Sequence, residues 1–226
     1  MKRVLCIISA ILIGLFSVTI YAAKSESEII EHFNEAMQNR VIEFTDIEAF
    51  PWAKEPIAQL AAKGIVNGDG NGLFLPQNTV SRYEFIKMIT GVCGIVNQNS
   101  KAPFGDLDES HWAYVYVASA FEAGMLDIYS AKIFNGAAPI TREEIAYVSV
   151  NAMLKSGCLE KTVDEIPAFT DTNEMSSYSP SSIATLASLG VINGRNDKSF
   201  CPKDYATRAE AAKIVYNVLN IIENNF

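Results

Sequence analysis

Beyond residue 50 the apolar positions of this chain fall at intervals of three and four, the period of a helix with one buried face. Ile57, Leu60 and Ala61 make one such stripe, which stops at Gly64. Phe85, Met88, Ile89, Val92 and Cys93 make another, opening just after Ser81-Arg82-Tyr83-Glu84. Ile145, Val148 and Ala152 follow Thr141-Arg142-Glu143-Glu144; Ala211, Ile214, Val215, Val218 and Leu219 follow Thr207-Arg208-Ala209-Glu210. Ser-x-x-Glu and Thr-x-x-Glu ahead of an apolar stripe are capping boxes. The hydroxyl accepts one free backbone N–H, and the glutamate reaches back to another. A glycine after a stripe is a natural helix stop, because it adopts a left-handed turn without steric cost. Earlier in the chain, Ile29, Ile30, Phe33, Met37 and Val41 keep helical spacing and predict a helix within 24–43.

The first twenty residues follow another pattern. Lys2 and Arg3 precede a mostly apolar run from Val4 to Ile20. A short positive segment followed by such a run reads as a secretory leader, here residues 1–23, with Ala22 and Ala23 as cleavage residues. A retained leader would instead be an anchor, since about 17 apolar residues is the lower limit for spanning a bilayer.

The stripes belong to a unit that occurs three times. Phe44-Thr45-Asp46 recurs as Phe104-Gly105-Asp106 and Phe169-Thr170-Asp171. Trp52, Trp112 and Tyr178 follow the aspartates. Gly64, Gly124 and Gly190 stand twelve residues past each aromatic, and Arg82, Arg142 and Arg208 eighteen past each glycine. Each unit reads as helix, loop, helix, over 44–97, 104–156 and 169–222, with 156–168 as a linker. Two short helices bury little alone, so three units are expected to share one core.

Composition narrows the function. The chain has 226 residues with 49% hydrophobic and 19% charged, enough for a packed core. Its net charge of −8 argues against non-specific nucleic-acid binding. Loss of the leader would make it more negative by two. His32 and His111 lie in no Cys/His grouping, so no metal or other cofactor is expected; His111 reads as a surface residue. Three cysteines remain after the leader, so at least one is free or pairs with another chain; Cys93 reads as a small buried hydrophobe. Asn67-Gly-Asp69-Gly-Asn71-Gly72 matches the start of a calcium loop, but Asn78 stands where its closing carboxylate would be, and tight turning is the simpler cause. Neither a nucleophile motif nor an isolated carboxylate pair appears, so no enzymatic activity is expected.

The Phe-x-Asp start, the aromatic, Gly64-Ile65-Val66-Asn67-Gly68, Gly72, Phe74, Pro76, Ser81-Arg82 and the repeated Thr-Arg-x-Glu together resemble the S-layer homology family. The resemblance covers about residues 44–222. It implies an all-α fold in which three helix-loop-helix repeats form a pseudo-threefold spindle. It implies a secreted protein held non-covalently at the Gram-positive cell wall, in the S-layer. The ligand implied is an anionic, pyruvylated secondary cell-wall polysaccharide, bound in grooves between repeats. Carried over, the arginines Arg82, Arg142 and Arg208 contact the anion. Asp46, Asp106, Asp171, Trp52, Trp112, Tyr178, Gly68 and Gly194 shape the grooves. Unit two departs from the pattern, with Ile128 in place of Gly68 and Gly194, and Gly136 in place of Pro76 and Pro202. At most two competent grooves are therefore expected.

Physical reading of the same residues leaves alternatives. A cation at the first helical turn opposes the helix dipole, so three arginines there need a reason. Either the helix N-terminus and the guanidinium together hold an anion, or each arginine pairs with an acid of a neighbouring unit, such as the motif aspartate. Trp52 and Trp112 either pack as core or offer a face to a sugar. Two rivals to wall binding follow: a protein–protein assembly module with degenerate repeats and other envelope proteins as partners, or an uncleaved form bridging membrane and wall.

Overall fold

The computed structural model describes residues 44–130 and 132–225. The leader and the helix expected within 24–43 lie outside the described residues. Six α-helices appear: α1 (Pro51–Ala62), α2 (Arg82–Val92), α3 (Tyr114–Glu122), α4 (Arg142–Lys155), α5 (Pro180–Ser188) and α6 (Arg208–Asn225). Among the described residues the only β pairing is isolated bridges. The all-α expectation therefore holds, with two helices per unit.

Local chemistry sets the helix ends. Ser81 and Thr141 cap α2 and α4, each in a reciprocal capping box with Glu84 or Glu144. Thr207 and Glu210 make the same exchange at α6. The first helices end at Gly64, Gly124 and Gly190, all at positive φ near 70°. In each case the following N–H returns to the helix: Ile65 to Leu60 O, Met125 to Ala120 O and Val191 to Leu186 O. Any side chain larger than hydrogen would be strained at those glycines.

The pairing of helices is not within units. α1 packs on α6, α3 on α2 and α5 on α4, so each first helix lies on the second helix of the preceding unit, taken cyclically. The second helices α2, α4 and α6 contact one another at the centre. A closed ring of backbone bonds marks the pseudo-threefold axis: Val80 N–H donates to Ala206 O, Ala206 to Ile140 O and Ile140 to Val80 O, at 3.0, 3.2 and 3.1 Å. One shared core results, and no unit can bury its stripes without its neighbours. Phe74, Phe134 and Phe200 are equivalent and fully buried in it, as are Ile57, Phe85 and Ile145.

Candidate functional site

Each motif aspartate organises the loop between its unit's helices. Asp46 accepts from Phe74 N and Leu75 N at 2.8 and 2.7 Å, Asp106 from Phe134 N and Asn135 N, and Asp171 from Phe200 N and Cys201 N. Leu75, Asn135 and Cys201 all have positive φ. A carboxylate taking two N–H groups offsets a left-handed turn that these side chains disfavour. Gly68 and Gly194 have a packing reason. A Cβ on Gly68 would come within 2.5 Å of the Phe44 ring and of Leu73 O, and one on Gly194 within 2.7 Å of the Phe169 ring.

The three arginines form a second ring. Arg208 of unit three pairs with Glu84 of unit one. Arg82 pairs with Glu144 of unit two at 2.7 Å, and Arg142 with Glu210 of unit three at 3.6 Å. Each glutamate caps its own helix and also receives the preceding unit's arginine. The partner acid is thus the capping glutamate and not the motif aspartate, a double role that the sequence motif alone does not display. Each guanidinium also lies over an aromatic ring: Arg208 over Phe74 at 4.7 Å, Arg142 over Phe200 at 4.9 Å and Arg82 over Tyr129 at 4.9 Å. Burial works against the charge on Arg82, but Glu144 more than offsets it and raises its pKa.

The helix N-termini are not open for an anion. Arg82 N–H donates to Ala138 O and Tyr83 N–H to Gly136 O; Arg142, Glu143, Arg208 and Ala209 repeat this across their own junctions. The expectation of an anion site on free N–H groups is corrected on this point. The neighbouring loop saturates them, because extended segments pair across each unit boundary.

Around this ring the site residues gather by threes, one element from each unit. A cavity of about 450 Å³ opens at the unit-one loop, lined by Asn67, Gly68 and Lys87 of unit one, Arg208 of unit three and Trp112 of unit two. A smaller one, about 140 Å³, has Asn193 and Lys213 of unit three, Arg142 of unit two and Trp52 of unit one. Trp112 and Trp52 are 53% and 49% exposed, so they are groove walls and not core. Only the first cavity reaches the volume usual for a small-ligand site.

The third position is filled. Tyr129 takes the place that Asp69 holds in unit one, and its ring packs against Phe134 and under Arg82. Tyr147 stands where the other units have Lys87 and Lys213, and it packs edge-on against Tyr178. Tyr178 Oη donates to Glu143 at 3.0 Å. Glu143, 2% exposed, also accepts from Ser176 N, Ser176 Oγ, Ser179 Oγ and Lys203 Nζ. Burial would push its carboxyl up, but the Lys203 ammonium and these donors outweigh that and hold it below the ordinary carboxylate range. Gly136 is required at this junction. A Cβ there would fall 1.9 Å from the Tyr83 ring, which packs at a tilt against His111 and Phe134. His111 is half-buried, and its Nδ1 accepts from Ala113 N.

The remaining candidates are accounted for locally. Asp69 Oδ1 accepts from Asn71 N and Leu73 N, which makes the glycine-rich loop a turn closed by its own carboxylate. Cys93, Cys158 and Cys201 are unpaired. Cys93 is buried as expected, and burial raises its thiol pKa to about 12. Among the described residues no helix is long and apolar enough to cross a membrane.

The S-layer homology domain family matches the chain at residues 43–86, 103–146 and 168–212. An exoglucanase (XynX) of Acetivibrio thermocellus is 32% identical over 183 residues, 81% of this chain and 17% of its own length. A surface-layer 125 kDa protein of Lysinibacillus sphaericus is 27% identical over 179 residues, 79% of this chain and 14% of its own. A cellulosome-anchoring protein, also of Acetivibrio thermocellus, is 29% identical over 154 residues, 66% of this chain and 34% of its own. The chain thus spans about a third or less of each of these relatives.

Proposed function

The chain belongs to the S-layer homology domain family, and on that premise we propose that it attaches non-covalently to the cell wall by holding an anionic, pyruvylated secondary wall polysaccharide in its inter-unit grooves. The observation that carries this reading is the unit-one groove, where a half-exposed Trp112, the cations Arg208 and Lys87 and a turn-rich loop converge on one cavity from three units. An aromatic face beside a cation suits a sugar ring that bears a carboxylate.

No catalytic step is proposed. Four-fifths of the chain matches both an exoglucanase and a surface-layer protein, over less than a fifth of either. An activity named for only one of them does not belong to the stretch they have in common. The relatives named for surface layers and for anchoring support a cell-surface location. The rival reading, a protein–protein assembly module, draws on the closed unit-two groove.

The test is retention of the purified protein on wall sacculi from its source organism, before and after the secondary polymer is stripped. Binding is expected to need the polymer and to fall at least about tenfold in Trp112→Ala, whose exposed side chain leaves the core intact. A folded wild-type protein that ignores native sacculi overturns the reading and directs the search to an envelope protein partner.

A further inference from the structure

We infer that Cys93 and Cys158, thiols in this structure, are placed to join as a disulfide at the cell surface, tying the end of α2 in unit one to the turn after α4 in unit two. The inference does not depend on the polysaccharide reading.

The central helices bring the pair together. Cys93, Met153 and Leu219 each stand eleven residues past their unit's arginine, and all three are buried. Helices α2 and α4 pack on each other at the centre. Past α4, Gly157 at φ 77° turns the chain back. Cys158 Sγ then donates to Met153 O at 3.3 Å. Its thiol therefore lies against the residue of α4 that matches Cys93 in α2. Ser156 Oγ is 3.1 Å from Cys158 Sγ, and it also hydrogen-bonds the Cys93 thiol. One hydroxyl thus touches both sulfurs. After burial, the Cys158 thiol is the next contributor to the raised pKa of Cys93, as a close neighbour would be. Cys201 belongs to the unit-three loop, where its thiol meets Ser199 Oγ at 3.1 Å, and it is left as the odd cysteine.

Disulfides persist where no cytosolic thiol pool reduces them, as outside the cell. Cys158 is half-buried and Cys93 buried, which sets the order of events. The Cys158 thiolate attacks a low-molecular-weight disulfide, such as oxidised glutathione, and expels one small thiolate. The Cys93 thiolate then attacks the Cys158 sulfur of the mixed disulfide and expels the second. Two protein thiols are oxidised, one small disulfide is reduced to two thiols, and the protons of Cys93 and Cys158 pass through water to the departing thiolates. The partners are 65 residues apart in sequence, so the bond removes much freedom from the unfolded chain. Because the units share one core, a tie between two of them holds the third as well.

The test uses the full chain carrying Cys6→Ser and Cys201→Ser, so that only this pair can react. The folded protein is held with oxidised glutathione at about pH 8.5, where the more exposed thiol begins to ionise. It is then denatured in acid without reductant, capped with N-ethylmaleimide and mapped by peptide mass. A Cys93–Cys158 linked peptide is expected, with neither cysteine capped. The bridged protein is expected to melt about 5 to 10 °C above the same sample treated with dithiothreitol. Adding Cys158→Ser, a change at a half-buried position, is expected to abolish that difference. Glutathione retained on Cys158 with Cys93 capped overturns the inference, as does maleimide on both. So does a melting difference that survives Cys158→Ser, or a bridged form that melts no higher than the reduced one.

Discussion

The groove over the unit-one loop and the seam over the unit-two loop are built on the same frame and end in opposite states. Both have the motif aspartate clamping a left-handed turn, the arginine of the preceding unit and the aromatic of the following one. In unit one the wall residues are Asp69, Lys87 and Trp112, and a cavity of about 450 Å³ remains. In unit two the equivalents are Tyr129, Tyr147 and Tyr178; Tyr129 packs edge-on against Phe134, and Tyr147 edge-on against Tyr178. The difference teaches that the repeated ring of Arg and Glu is common to both, whatever stands on the groove wall. Openness is decided by which residues stand on the wall.

Breaking the closed seam has the largest expected effect. Glu143 gathers donors from Ser176, Tyr178, Ser179 and Lys203, and Glu143→Ala strands them; a loss of about 3 kcal/mol is expected in denaturant unfolding. Because its native pKa is depressed, its contribution is complete above the ordinary carboxylate range and fades as pH falls through the native value. Wild type and Glu143→Gln should therefore converge in stability in acid; a gap that persists there would show that charge is not the cause. Next comes the Tyr83–Gly136 junction. Gly136→Ala should cost about 2 kcal/mol through overlap with the Tyr83 ring, and most of that cost should vanish in a Tyr83→Ala background. Additive losses in the double mutant would rule out the steric account.

Smaller effects sharpen the contrast between the two open grooves. Trp52 stands over about 140 Å³ and Trp112 over about 450 Å³, so Trp52→Ala should weaken sacculus retention less than Trp112→Ala does. The reverse order would make unit three the principal site. The smallest change is Tyr129→Phe. Its hydroxyl is buried with no hydrogen-bond partner among the described residues, so its removal should leave stability within about 1 kcal/mol, and not lower it. A marked loss on thermal melting would reveal a polar bond there.

Much of this was legible before any coordinates. The stripes at Phe85-Met88-Ile89 and Ile145-Val148 became the buried faces of α2 and α4, and the Ser/Thr-x-x-Glu boxes became their caps, because both signals are local and act within one turn. Ile128 and Gly136 marked unit two as the odd one, again from single positions in a repeated frame. The exchange of Tyr83 with Gly136 against Ala209 with Pro76 was also present in the letters, but it has meaning only once the two positions are known to touch.

What the sequence by itself determined is therefore the unit: its count, its helix starts and stops, and the residues it repeats. What only the tertiary structure decided is who meets whom. Helix pairs form between units and not within them, arginines find the next unit's capping glutamate and not the motif aspartate, and tryptophans from the following unit become groove walls. The physical reason is the order of the forces. Caps and periodicity act over three or four residues and can be read along the chain. Closure of a ring of three units is set by burial of apolar stripes against partners some 60 or more residues away, as between Arg82 and Glu144, and nothing in the local pattern records which partner completes it.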